Sequence, residues 1–119
     1  MIRNMEVWTD LMAGRPVRDD ARLRAQGQTV DGLLRRLDIV AVELAEVSRP
    51  IASENRLDDC FVDQLDNPPT SKTYGGAIVH VITHSMHHRA QLLYMLRKLG
   101  VRDLIEGDML SWEAQLKRK

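Results

Sequence analysis

Cysteine, aromatic residues and net charge are all scarce in this sequence. The one cysteine, Cys60, cannot form an internal disulfide, which is typical of proteins in a reducing cytoplasm. Aromatic residues make up only 4% of the chain, and this composition favours helices packed on helices over a β-sheet. We therefore expect a cytoplasmic, all-α protein with a single domain, residues 1–119.

The charges balance, with 17 Lys and Arg against 17 Asp and Glu. No overall field attracts nucleic acid or an anionic membrane, so we expect neither as a partner. No apolar run approaches the ~20 residues that a membrane span needs. A basic cluster follows the first helix, and Asp19 and Asp20 interrupt it. We therefore interpret the cluster as part of a solvated loop rather than a phosphate site. Its members are Arg15, Arg18, Arg22 and Arg24.

Apolar periodicity predicts three long helices and a short C-terminal one. The first carries a Met and Trp stripe and ends at Gly14. The second begins after the N-cap Thr29, and Pro50 bends or ends it. Its apolar seam is Val30, Leu33, Leu37, Val40, Leu44 and Val47, and the charged residues off the seam should face water: Arg35, Arg36, Asp38, Glu43, Glu46 and Arg49.

Residues 52–72 are predicted to form a long connection, in which residues 60–62 could be extended. The third long helix runs from about residue 73 to 98 and ends near Gly100. The pair Gly75 and Gly76 at its start indicates close backbone packing. The tail from 108 to 119 has helical composition, with Trp112 as its anchor. Three long helices, one with a regular seam, indicate a helical bundle.

All four histidines lie in the string HVITHSMHHRAQ. On a helix, His80, His84 and His88 share one stripe, and neighbours four residues apart can bind one divalent ion. His80 and His88, about 12 Å apart along the axis, cannot both do so. The alternatives are surface or satisfied core histidines. We favour metal binding because Ala77, Gln91 and Met95 share the face, which should point inward.

The segment HVITHSMHHRAQLLYMLRKLGV resembles the histidine motif of the DinB/YfiT-like superfamily, and the opening IRNMEVWTDLMAG is similar to that family's second helix. The resemblance implies an up-down four-helix bundle and makes His84 and His88 metal ligands, with Zn or Ni the expected ion. His80 and Gln91 flank the pair and could orient it by hydrogen bonds. Asn4 and Trp8 are pocket candidates, although core packing is the stronger interpretation of Trp8.

The sequence departs from the family in two ways. The family's first helix has no counterpart here, and its third ligand, a His about two turns before Trp8, would fall at or just before Met1. We expect a late-annotated start, with that helix and that His encoded upstream, or a lost ligand. Without the helix, an apolar groove should remain along the first and third helices, and a homodimer could fill it.

Relatives in the family include S-transferases that use mycothiol, bacillithiol or glutathione. The resemblance therefore implies a metal-dependent thiol S-transferase or related detoxification enzyme that acts on a small-molecule substrate. The alternative is a degenerate, non-catalytic bundle that binds a metal or small molecule, with a damage- or stress-response role. Cys60 in its loop is interpreted as an incidental thiol, and Arg89 as part of a surface or inter-helix ion pair.

Overall fold

The computed structural model describes residues 1–26 and 28–118 and is about 66% helical. The elements in chain order are α1 (Ile2–Ala13), α2 (Asp20–Gln26), α3 (Val30–Ser53), β1 (Cys60–Asp63), β2 (Thr70–Thr73), α4 (Tyr74–Lys98) and α5 (Met109–Lys117). The chain divides into two compact units, Met1–Val81 and Ile82–Lys119, and α4 contributes to both.

Three ends of the long helices lie at or near residues that local sequence signals predict. Gly14 takes a left-handed conformation (φ 70°) after α1, and Gly100 does the same (φ 87°) shortly after α4. The hydroxyl of Thr29 accepts a hydrogen bond of 3.0 Å from the backbone N–H of Gly32 at the start of α3. Pro50 does not end α3, which continues to Ser53.

Two apolar clusters form the core of the first unit. Met5, Val40 and Val81 form one cluster; Leu11, Met12, Phe61 and Ala77 form the other. The middle of the predicted α3 seam packs against them through Leu37, Leu44 and Val47. The N-terminal end of the seam does not, since Val30 is 73% exposed.

A small antiparallel hairpin makes the all-α prediction wrong in part. The extended segment expected at 60–62 is β1. It pairs with β2, where the sequence predicts a connection and the start of a helix. Phe61 on β1 is buried and packs edge-on against Trp8, with ring centroids 6.3 Å apart. The Lys72 ammonium on β2 forms an ion pair with the buried carboxylate of Asp63 on β1, at an N–O distance of 3.0 Å. This ion pair links the two strands.

The hairpin leads directly into α4 through a close backbone contact. The N–H of Gly75 donates to the carbonyl oxygen of Leu57 at 2.8 Å. A Cβ at position 75 would lie 3.0 Å from the same oxygen. The close packing predicted from the paired glycines is therefore confirmed at Gly75.

Two carboxylates of α1, Glu6 and Asp10, are each only 1% exposed. Arg36 on α3 holds Glu6 in a two-pronged pair, with N–O distances of 2.5 and 2.8 Å. Asp10 accepts hydrogen bonds from the side chains of Arg15 and Arg18 and from the backbone N–H of Arg18. Both of these arginines also pair with Glu43 on α3, at 2.7 and 2.5 Å.

These ion pairs correct two expectations about charged residues. Arg15 and Arg18 do not belong to a solvated loop, because they bind the buried carboxylate of Asp10. Arg36 and Glu43 do not simply face water from α3, because they pair with α1 and with the segment after it. The apolar seam of α3 located the core from Leu37 to Val47, but it gave no information about polar partners.

The electrostatics of Asp10 follow from this arrangement. Burial by itself would raise the pKa of the Asp10 carboxyl, but the hydrogen bonds from Arg18 and Arg15 outweigh it and lower the pKa from 3.8 to about 2. The carboxylate therefore stays charged in the folded protein at pH values where the unfolded chain has begun to protonate it.

The second unit contains the C-terminal part of α4 and the segment that follows it. Asp108 caps α5 by accepting from the backbone N–H of Ser111 at 2.9 Å. Arg89 donates to the carbonyl of Gly107, a backbone contact instead of the ion pair expected for it. Trp112 is 56% exposed and does not anchor α5. None of the helices described is both long and apolar enough to cross a membrane.

Replacing Arg18 by Met should lower the free energy of unfolding by about 3 kcal/mol, because it removes the main partner of a buried carboxylate and keeps an apolar stem of similar length. Arg24→Met is the matched control, since Arg24 is largely exposed and pairs with Asp20 within one helix. The control should change the free energy by less than about 0.5 kcal/mol. Urea unfolding monitored by circular dichroism measures both, and equal losses would contradict this role of Arg18.

Asp10 should also make folding sensitive to acid. The pKa of Asp10 is lower in the folded than in the unfolded state. Its contribution to the free energy of unfolding is therefore fully present above pH about 4 and is lost as the pH falls towards 2. The Asp10→Asn variant should therefore show a shallower fall in unfolding free energy between these pH values than the parent. Parallel curves for the two proteins would contradict the assignment.

Candidate metal centre

The central feature of the candidate site is the contact between two imidazoles of α4. His84 and His88 lie one helical turn apart, about 6 Å along the axis, and both are half-buried. Their Nε2 atoms are 3.0 Å apart, and their ring centroids are 4.6 Å apart. The regular helix brings the two nitrogens to one point in the second unit, as the spacing predicts.

This separation fits the donor set of a divalent ion. With metal–nitrogen bonds of about 2.05 Å, tetrahedral geometry places two ligand nitrogens about 3.3 Å apart, and a right angle places them about 2.9 Å apart. The observed 3.0 Å lies between these values. The same distance also suits one N–H···N hydrogen bond between neutral rings. Shared ligation requires both rings to carry their proton on Nδ1.

The pair supplies two ligands. In the part of the chain that the structure describes, no cluster of three or more His, Cys, Asp or Glu side chains could hold an ion. Zinc sites use at least three protein ligands, with water or substrate in the remaining position of catalytic ones. An ion held by this pair would therefore need further ligands beyond the side chains that the structure brings together here.

The surroundings of the pair in the second unit are open. His87 is exposed, and its Nε2 lies 3.4 Å from the amide nitrogen of Gln91. A shallow open surface continues along the same helix, and its residues are His87, Ala90, Gln91, Tyr94 and Met95. The hydroxyl of Ser85 is buried and has no hydrogen-bond partner among the described residues. The sequence did not predict this feature.

The other predicted site residues lie in the first unit. Trp8 packs against both core clusters, in agreement with its interpretation as a core residue. His80 packs edge-on against Trp8, with centroids 5.3 Å apart. The side-chain oxygen of Asn4 is buried, with no hydrogen-bond partner among the described residues. The roles predicted for these side chains at a metal pocket stay predictions.

The histidine stripe does not point inward along its whole length. Ala77 is buried, and His84 and His88 are half-buried. His80, Gln91 and Met95 are exposed, so the expectation that this face of the helix points inward was wrong at these three positions. Helical periodicity identifies residues that share a face, but it does not determine which part of that face is covered.

Comparison with known families agrees with the histidine motif and with the opening helix. The family model of the DinB family matches residues 5–112, which is most of the chain. The protein belongs to the DinB family. No curated protein and no solved structure matches it. Family membership is established on sequence, while the four-helix bundle arrangement stays a prediction.

Proposed function

We propose that this DinB family protein binds a divalent metal ion, Zn or Ni, through Nε2 of His84 and Nε2 of His88. The observation that carries the proposal is the 3.0 Å separation of these two atoms on adjacent turns of one helix. Imidazole suits both metals. A helix whose backbone hydrogen bonds are satisfied internally holds the two rings in place before the ion arrives, which lowers the entropy cost of binding.

We further propose that the activity is that of a metal-dependent thiol S-transferase or a related detoxification enzyme. A bound divalent ion lowers the pKa of a thiol that reaches it and so supplies a thiolate at neutral pH. The chain's own contribution is to position the ion by two rings and to leave the neighbouring surface of α4 open. The open surface beside His87 leaves the approach along this helix accessible to a small thiol of the bacillithiol, mycothiol or glutathione type.

The second candidate is a non-catalytic protein that binds a metal or small molecule weakly. The observation that favours it is the lack of a cluster of three ligands among the described residues. Two imidazoles hold an ion less firmly than three or four, and a site without a third protein ligand positions a substrate poorly. Metal content and thiol binding distinguish the two candidates.

Substituting either His84 or His88 by Ala should abolish bound Zn or Ni, because each removes one of only two protein ligands. His87→Ala is the matched control: it is an exposed neighbour on the same turn and should keep the parental metal content. Elemental analysis of untagged, dialysed protein measures occupancy, and circular dichroism checks that helix content is unchanged. Parental occupancy in both ligand variants would refute the site.

Thiol binding should be visible in the absorption of the Ni-loaded protein. Adding glutathione should produce a sulfur-to-metal charge-transfer band, because a thiolate can occupy a coordination position that the two imidazoles leave open. The band should be missing in His88→Ala. A Ni-loaded parent that stays spectroscopically unchanged with glutathione and other small thiols would support the non-catalytic candidate.

A further inference from the structure

A partly enclosed cleft of the first unit lies between α1, α2 and α3. Its volume is about 280 Å³, near the lower end of the range for small-molecule sites. None of the described residues that line it is a histidine. The lining combines three guanidinium groups, one carboxylate and two aliphatic side chains, which are Arg18, Arg35 and Arg36, Glu6, and Leu23 and Ile39.

The α3 wall of the cleft follows from helical spacing. Arg36 lies four residues after Gly32, and Ile39 lies four residues after Arg35. All four residues therefore lie on one face of the helix. Gly32 is buried and has no side chain, which leaves a depression in this face. Arg35 and Ile39 are exposed, so a guanidinium and an aliphatic side chain are available one turn apart beside the depression.

The charges around the cleft leave one cation without a partner. Arg36 is paired with the buried carboxylate of Glu6, at N–O distances of 2.5 and 2.8 Å. Arg18 is held by the carboxylates of Asp10 and Glu43. The guanidinium of Arg35 has no hydrogen bond or ion pair with any described residue. Its planar fork is therefore available to both oxygens of a carboxylate.

We propose that this cleft binds a small aliphatic monocarboxylate, whose carboxylate pairs with Arg35 and whose chain lies against Leu23 and Ile39. One uncompensated positive charge matches a ligand with one negative charge. A doubly charged phosphate is disfavoured, because the carboxylate of Glu6 lies in the same wall and repels the second charge. The ligand also leaves the buried pair of Glu6 and Arg36 intact. This site does not depend on the metal binding proposed above.

The direct test is a titration of the ¹⁵N-labelled full chain with hexanoate at low ionic strength, followed by NMR. We expect saturable shifts of the backbone amides of Leu23, Gly32 and Arg35, with a dissociation constant on the order of millimolar, as for a ligand of this size. Affinity should rise from acetate through butyrate to hexanoate. Absence of saturable shifts, or shifts confined to other parts of the chain, would overturn the proposal.

Two further probes separate the carboxylate from the aliphatic chain. Hexan-1-ol has the chain without the charge, and inorganic phosphate has charge without the chain. Both should bind at least about tenfold more weakly than hexanoate, because each makes only one of the two contacts. Equal binding of hexan-1-ol would show that the charge is not recognised, and equal binding of phosphate would show that the chain is not. Either result would overturn the proposal, and both probes use the parent protein.

Variants of α3 test the two contacts one at a time. Arg35→Met should weaken hexanoate binding about tenfold or more. Its control is Arg49→Met, because Arg49 is also exposed on α3 and has no ion pair with a described residue, but it does not line the cleft. Ile39→Ala should remove most of the gain in affinity from acetate to hexanoate, whereas Val42→Ala, at an equally exposed position, should keep it. Parental affinity in Arg35→Met would overturn the proposal.

A histidine variant tests whether the carboxylate binds at the cleft or at a metal ion. His88→Ala should bind hexanoate with parental affinity, whatever its metal content, because no histidine is among the described residues that line the cleft. Loss of hexanoate binding in this variant would assign the carboxylate to the histidine pair and overturn the proposal. Circular dichroism of all the variants checks that the helix content is unchanged.

Discussion

The burial of Glu6 and Asp10 is the constraint on which the first unit depends. Two carboxylates removed from water on one helix would be very costly without partners, because desolvation penalises their charged form. The cost is offset by guanidinium groups from outside the helix, with Arg36 on Glu6 and with Arg15 and Arg18 on Asp10. Once α1 is fixed against α3 in this way, Met5 meets Val40 and Val81, and Trp8 is positioned against Phe61.

The sequence predicted the three long helices because several of their ends depend on local chemistry. Thr29 caps α3 and Gly14 ends α1 through contacts with residues at most three or four positions away. The ion pairs could not be predicted in the same way, since Arg36 and Glu6 are 30 residues apart and Arg18 and Glu43 are 25 apart. Strand β2 had no signal either: Thr70–Thr73 has no apolar alternation, and its structure comes from pairing with β1.

The candidate site could also be predicted only where it depends on residues close together in the sequence. Residues four positions apart on a helix are neighbours, so the contact between His84 and His88 followed from their spacing. The exposure of His80 and Gln91 did not follow, because it depends on which other elements cover that side of α4. Local periodicity thus determines which side chains can meet, and tertiary packing determines which of them are accessible to a ligand.

The number of ligands would decide the chemistry of the proposed metal centre. The pair lies on a helical segment with one charged residue, so attraction from nearby charges adds little to the affinity for a cation. Affinity then depends on how many donors reach the ion. Two imidazoles with solvent leave positions open for a thiol, which is the arrangement that a transferase needs, whereas four imidazoles close a zinc site and make it structural. If the pair binds an ion as proposed, the identity of the metal and the number of further ligands would therefore determine together whether the centre is catalytic.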